Sequence, residues 1–320
     1  SMSRGLGDVY KRQAMNGILI IDKPQGVTSF DMVRQARRWC KTRRVGHAGT
    51  LDPLATGVLP IAVGWATRLV EYMMAGEKTY QATMKLGATT DTQDSEGQSL
   101  ETKDWQHVDR EAFDAALSGF LGPIQQLPPM FSALKKDGQP LYKLARQGIE
   151  VERQPRSITI GSLVVDEFAP PYVTFTVRCS KGTYVRTLCH DIGQKLNCGA
   201  HMTALRRLAC GQFDVKVSYT PDEIQELVEQ GKPLPLLSPA DALADWPTLS
   251  VTGPLLDRLQ DGVAPSMADL DVSGLKAGDR VRFLSDGILV AIANFSPGGH
   301  GKRPGDFELS KVFPLPDVSG

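Results

Sequence analysis

Apolar and polar positions along this chain follow two periods, and the switches between them outline its elements. Residues 17–22 (GILIID) form a continuous apolar run closed by the turn Lys23-Pro24-Gln25-Gly26, which predicts a buried strand. Thr28 and Asp31 stand at capping-box spacing, with Asp in place of the usual Glu or Gln, and Val33, Ala36 and Cys40 recur at helical spacing. A helix over 29–41 is predicted, with a basic outer face. Residues 78–86 and 172–179 alternate as strands, the second with Val173, Phe175, Val177 and Cys179 on one side. Between them, 89–98 reads as a polar loop, and 109–121 as a capped helix. The stretch 122–156 is rich in Pro, Gly and Lys/Arg with weak periodicity, and so reads as a surface insertion. Val185, Leu188, Cys189, Ile192 and Leu196 share one stripe of a further helix. Thr220-Pro221-Asp222-Glu223 starts another, which Gly231 ends. After Pro233 short apolar runs such as 279–283 and 288–292 are punctuated by Pro, Asp and Gly, the texture of a small β-rich domain.

The resulting expectation is an α+β chain: a large domain over 15–245 and a small one over 246–320. Residues 1–14 (SMSRGLGDVYKRQA) have no apolar core of signal-peptide length, and Met15 directly precedes the first strand. Met15 is therefore the expected native start, with 1–14 a non-native or disordered leader.

Composition narrows the function classes. No apolar run approaches the ~20 residues that span a bilayer. The five cysteines are odd in number and form no C-x-x-C pair, which disfavours a disulfide framework or a zinc ribbon and points to the cytoplasm. The 36 basic and 36 acidic residues cancel, yet their distribution is uneven. Arg34, Arg37, Arg38, Lys41, Arg43 and Arg44 lie in a stretch without an acid from Met32 to Leu51. A second cluster comprises Arg178, Lys181, Arg186, Arg206 and Arg207. Local basic stretches on a neutral chain fit one face of a polyanion, although a solvated helix face reads the same way.

The densest chemical signal is residues 44–60, RVGHAGTLDPLATGVLP, with three glycines and two prolines. Asp52 precedes Pro53, which biases it towards extended backbone and aims its carboxylate. Asp-Pro also starts ordinary turns; here an apolar run, 59–63, follows and anchors the loop in the core. Phosphate-loop, dinucleotide, zincin and nucleophile-elbow signatures are missing. The acids of 91–97 do not fall on the alternate positions a calcium loop needs, and the five histidines lack metal-ligand spacing.

Five segments then carry a resemblance: GILIIDKPQGVTSFDMV (17–33), GHAGTLDPLATGVLPIAVGWATR (46–68), KTYQATMKLGATTDTQDSEG (78–97), PPMFSALKKDGQPLYKLARQG (128–148) and SKGTYVRTLCHDIGQKLNCGAHMTALRRLACG (180–211). Together, and in this order, they resemble the TruB family of bacterial tRNA pseudouridine synthases, which act on a uridine of the T arm. The tail after about residue 245 matches far more weakly.

The resemblance implies a mixed-sheet catalytic domain followed by a PUA-like β-rich domain, and isomerisation of the uridine at position 55. It implies that Asp52 is the nucleophile, that Arg186 is its cationic partner, able to engage it as a fork, and that Asp94 shares that arginine. Tyr80 then packs on the flipped-out base, Tyr184 and His47 make further substrate contacts, and Leu205 lines the base pocket. Lys23 supports the catalytic loop or meets phosphate. The basic run 34–44 and the insertion 122–156 grip the T arm. Because the reaction exchanges a C–N for a C–C bond without redox change, neither cofactor nor metal is expected. The protein is expected to act as a monomer with tRNA as its partner and a possible secondary tRNA-folding role. Whether the carboxylate adds to ribose or base stays open. A non-catalytic RNA-folding module, the related guide-RNA-dependent enzymes and an Asp-based glycosidase, with Asp94 as its second acid, also stay open.

Overall fold

In the computed structural model, which describes residues 15–298 and 305–315, strand β1 (Gly17–Lys23) is buried on both faces. Leu19 and Ile21 join one core while Ile18 and Ile20 join a second, so the strand carries no polar alternation. The expected leader, 1–14, lies outside the described residues.

Helix α1 (Ser29–Trp39) follows, capped as expected: Thr28 and Asp31 form a reciprocal capping box. Strands β2 (Val45–His47) and β3 (Thr56–Val63) flank the Asp52 loop. A one-turn helix α2 (Val70–Met73) leads to β4 (Lys78–Leu86). The polar stretch expected at 89–98 is the connection of a small ribbon, β5 (Ala88–Thr90) with β6 (Ser99–Thr102). Then come α3 (Arg110–Ser118), capped by Asp109, and β7 (Gly122–Gln126). A two-residue ribbon, β8 (Lys135–Lys136) with β9 (Gln139–Pro140), and the short α4 (Leu141–Arg146) lead into β10 (Arg156–Ala169) and β11 (Tyr172–Cys179). Helix α5 (Val185–Lys195), β12 (Ala200–Cys210), β13 (Phe213–Asp214), α6 (Pro221–Glu229) and β14 (Leu236–Leu237) complete the large unit.

These strands build one ten-stranded mixed sheet in the order β14-β1-β3-β12-β4-β11-β10-β7, with β2 on β3 and β13 on β12. The β3–β12 pair is parallel, joining Thr56 to Arg206 and Gly57 to Arg207; the other pairs are antiparallel. The stretch 122–156 departs from the expectation of a pure surface insertion. Its first residues, Gly122–Gln126, are an edge strand in register with Arg156–Ile160, so the projecting part is what lies between. An edge strand buries only alternate side chains, and Pro123 is tolerated there, so no strong apolar period marks it.

The last quarter forms a four-stranded sheet, β15 (Thr248–Ser250), β16 (Arg280–Ser285), β17 (Ile288–Phe295) and β18 (Phe307–Val312), with helix α7 (Gly253–Gln260). Leu289, Ile292 and Phe313 enter the same cluster as Ile18, Ile20 and Ala62, so this sheet closes the back of the large one. Phe313 stacks on Trp65 with centroids 4.7 Å apart and lies under the Arg68 guanidinium. No helix among the described residues is long and apolar enough to cross a membrane.

Candidate active site

The Asp52 loop is held from several directions. The Ala48 amide donates to the Pro60 carbonyl at 2.9 Å, and the Gly26 amide to the Pro53 carbonyl at 2.8 Å. Ser29, the first residue of α1, grips Leu51: its hydroxyl accepts from the Leu51 amide at 2.8 Å and donates to the Leu51 carbonyl at 3.1 Å. Gly49 (φ +96°) and Gly57 (φ +104°) make left-handed turns before and after the aspartate, a conformation that favours glycine. The backbone is thus fixed while the Asp52 side chain stays 43% exposed.

Arg186 enters from the first turn of α5. Its Nη2 lies 3.0 Å from Asp52 Oδ2 and its Nη1 3.5 Å from Asp94 Oδ2. The same nitrogens donate to the carbonyls of Phe131 (2.8 Å) and Thr92 (2.9 Å). The guanidinium therefore does not clamp Asp52 as a two-pronged fork, the arrangement its residue type suggested; it divides its prongs between two carboxylates. Arg186 and Asp94 are nearly enclosed, with side chains 8% and 6% exposed. The second oxygen of Asp94 accepts from the Thr92 hydroxyl at 2.5 Å and the Glu96 amide at 3.1 Å. A bridge of Asp94 to Met202 and a 2.7 Å bond from Thr187 Oγ1 to Gln93 Oε1 tie this turn to β12 and α5. Of the three charged groups, only Asp52 opens to a ligand.

Tyr80 on β4 is buried, its neighbours across the sheet being Val177 and Arg207. Burial pushes its phenol up to about 12, against the opposing charge of Arg207. Leu205 stands half-buried on the adjacent strand opposite Ala82, packed on the core that includes Tyr80. His47 ends β2, half-buried, with an enclosed Nδ1 that has no hydrogen-bond partner. Burial, aided by the Arg207 charge, lowers its pKa below 6.5, so the ring is neutral at pH 7. Tyr184 caps α5, and its backbone amide and carbonyl are both held by the buried Gln126 side chain, at 2.8 and 3.0 Å.

Lys23 is fully buried, and its ammonium donates to the carbonyls of Pro24 (2.9 Å) and Val27 (2.7 Å). It braces the turn that meets Pro53 and is no exposed phosphate contact. Burial lowers its pKa to about 8, the nearby Asp52 charge opposing that fall. A cavity of about 660 Å³ between α1 and α6 has Lys23, Arg38, Trp39 and Arg206 in its wall; Asp52 is not part of it. Among the described residues, no group of three or more His, Cys, Asp or Glu is arranged to hold a metal ion.

The two basic clusters part company. Arg34, Arg38, Lys41, Arg43 and Arg44 are exposed, as a polyanion-binding face requires. The second cluster is no patch. Arg186 and Arg207 are buried, Arg206 makes a two-pronged pair with Asp22 (3.0 and 2.6 Å), and Arg178 pairs with Glu77 at 3.4 Å. Residue counting saw charge but not the strand pairing that turns it inward. Ser29, Gln126 and Arg207 are the supporting residues that sequence reasoning missed. For Arg207 a signal existed: consecutive residues of a strand point to opposite faces, so Arg206 and Arg207 could not both face solvent on a covered sheet.

With this geometry in place, comparison with known proteins is specific. Residues 37–185 match the family model described as TruB family pseudouridylate synthase (N terminal domain). Residues 186–244 match that of the tRNA pseudouridylate synthase B C-terminal domain. The tRNA pseudouridine synthase B of Syntrophotalea carbinolica is 51% identical over 301 residues, covering 93% of this chain and 98% of that protein. Its namesake in Geobacter sulfurreducens is 47% identical, with coverages of 93% and 100%. A chain from the crystal structure of a Cbf5-Nop10-Gar1 complex superposes with a TM-score of 0.73 at 26% identity, covering 94% of this chain and 86% of that one. A chain of an H/ACA RNP bound to a substrate RNA containing 2'-deoxyuridine gives a TM-score of 0.72 at 24% identity, with the same coverages, and speaks to the fold alone.

Proposed function

The chain belongs to the TruB family of pseudouridylate synthases, and we propose that it converts the uridine at position 55 in the tRNA T arm to pseudouridine with Asp52 as nucleophile. The observation that carries this reading is the 3.0 Å contact between the Asp52 carboxylate, open to solvent, and the enclosed Arg186 guanidinium. A nucleophilic carboxylate must stay ionised while substrate dries the site, and a fixed cation beside it serves that need.

The reaction balances without a redox partner. The C1′–N1 bond breaks, C1′–C5 forms, C5 loses a proton and N1 gains one. Asp52 adds transiently to the ribose or the base and is returned as a carboxylate. The target uridine must leave its stack, at a few kcal/mol. Tyr80, Leu205 and Tyr184 supply the aromatic and apolar surface that offsets this, at roughly 1–3 kcal/mol per stacked base. His47, neutral and half-buried, contacts the RNA beside them. The exposed basic face of α1 with its following turn and the projecting part of 122–156 hold the T arm by charge, independently of sequence.

On this reading the protein acts as a monomer without guide RNA; its relatives named tRNA pseudouridine synthase B are 47–51% identical, against 26% for the chain from the Cbf5-Nop10-Gar1 complex. A glycosidase needs a second carboxylic acid facing Asp52 across the substrate, and Asp94 is instead enclosed behind Arg186. The test is to incubate the purified protein alone with a T-arm stem-loop and map pseudouridine by position. One modified uridine without any added RNA or protein is expected. Modification only after a guide RNA is added would assign the chain to the other branch.

A further inference from the structure

Arg207 heads the fully buried large side chains, and its guanidinium donates to two neutral backbone carbonyls. Its position on β12 explains why they matter. The parallel pairing with β3 sets Arg207 beside Gly57, and the antiparallel pairing with β4 sets it beside Tyr80. From there Nε donates to the Val58 carbonyl at 2.8 Å and Nη2 to the Gly49 carbonyl at 3.1 Å. The strand register also sets Arg207 against Tyr80, and its charge opposes the rise that burial causes in the phenol. Gly49 and Val58 are the two ends of the loop that presents Asp52.

The loop packs closely on this strand position, through the backbone of Arg207 at Gly57 and its side chain at Gly49. A Cβ on Gly57 would lie 2.2 Å from the Arg207 carbonyl oxygen, and one on Gly49 3.3 Å from Arg207 Nη1. Burying a cation among neutral acceptors carries a desolvation cost that a well-packed apolar side chain would avoid. Two carbonyls from opposite ends of one loop, met from separate nitrogens of one rigid fork, suit a guanidinium.

We infer that Arg207 is a positioning residue for the isomerisation: its guanidinium ties both ends of the Asp52 loop to the strand position paired with Tyr80 and so fixes the carboxylate relative to the ring. The inference rests on Asp52 and Tyr80 acting on the substrate as proposed above. Arg207 itself, shielded beneath the loop, meets neither RNA nor the reacting atoms.

The test uses the full chain with Arg207→Lys, which keeps the charge but lacks the rigid fork that spans the Val58 and Gly49 carbonyls. Single-turnover rates with enzyme in excess over a T-arm stem-loop are measured beside RNA affinity and thermal melting. A rate at least 30-fold lower with Kd for RNA within threefold of wild type is expected, because the RNA-binding face is untouched. Tyr80→Phe removes the phenol that the Arg207 charge acts on. Its effect combined with Arg207→Lys should be well short of the product of the single effects, since both disturb the same pair. A merely structural arginine would lower the melting temperature yet leave the rate per binding-competent molecule within threefold of wild type; that result, or fully multiplicative effects, overturns the inference. Should Arg207→Lys not fold, the wild-type protein decides: the Arg207 Nε proton must exchange slowly and show a nuclear Overhauser contact to Tyr80, and rapid exchange overturns the clamp. Asp52→Asn, run alongside, separates the two levels. Full activity there removes the nucleophile reading, whereas loss there with a wild-type rate in Arg207→Lys removes only the positioning role.

Discussion

The Ser29 hydroxyl and the Leu51 peptide satisfy one another in both directions, at 2.8 and 3.1 Å, and both residues are buried. One side chain at the start of α1 therefore sets the backbone immediately before Asp52. Ser29→Ala leaves a buried amide and carbonyl unpaired, at about 1–3 kcal/mol. The expected outcome is a kcat roughly tenfold lower with KM for RNA unchanged, since about 1.4 kcal/mol of lost positioning is a factor of ten. Steady-state kinetics on a T-arm stem-loop check it, and an equal rise in KM would place Ser29 in RNA binding instead.

Arg186 is the only cation within ion-pair distance of Asp52 and Asp94 among the described residues. Replacing it with Met strands Asp94 in an enclosed site, and breaking such a pair from one side costs about 3–5 kcal/mol. Arg186→Met should lower stability by about that amount in urea titration and reduce turnover at least 100-fold. Adding Asp94→Asn to Arg186→Met should recover part of the stability and none of the activity. Recovery of activity would mean that Arg186 serves only to neutralise Asp94.

Lys23 gives a pH signature with a definite sign. Its pKa is near 8 folded and 10.5 unfolded, so folding disfavours its charged form. Below pH 8 both states hold the proton and the full cost of burying the ammonium is present. Between about pH 8 and 10.5 the unfolded chain binds more protons, so this contribution to stability rises with pH, by about 3 kcal/mol at ~1.36 kcal/mol per unit. The stability difference between wild type and Lys23→Met, followed by urea titration from pH 7 to 10.5, should shift towards wild type by that amount. A difference flat in pH would show that the ammonium is not desolvated.

Gly57 combines φ +104° with a backbone contact that leaves no room for a Cβ. Gly57→Ala must open the parallel pairing of β3 with β12, at about 3 kcal/mol or more. A melting temperature close to wild type would mean that the β3–β12 contact is looser than described.

Much of this architecture is legible in the residues themselves. The Thr28 and Thr220 caps and the strands 78–86 and 172–179 follow from local spacing, and local spacing is what the folded chain uses there. The parts that stayed hidden depend on pairing between distant segments. Gly122–Gln126 becomes a strand only because Arg156–Ile160 lies beside it. Arg207 looks like half of a basic doublet until β3 and β4 enclose it. Asp94 sits in a polar run whose spacing shows no partner, and only the fold carries it to Arg186. Asp52 itself was legible as an aimed carboxylate, because glycine and proline write backbone geometry directly into the sequence.

The most direct test of the central claim compares wild type with Asp52→Asn under single-turnover conditions on a T-arm stem-loop, with RNA binding measured on the same samples. The substitution keeps the shape of the side chain and removes its charge and nucleophilicity. Loss of all detectable pseudouridine with RNA affinity within threefold of wild type is predicted. Pseudouridine formation by Asp52→Asn at the wild-type rate would contradict the assignment of Asp52 as nucleophile.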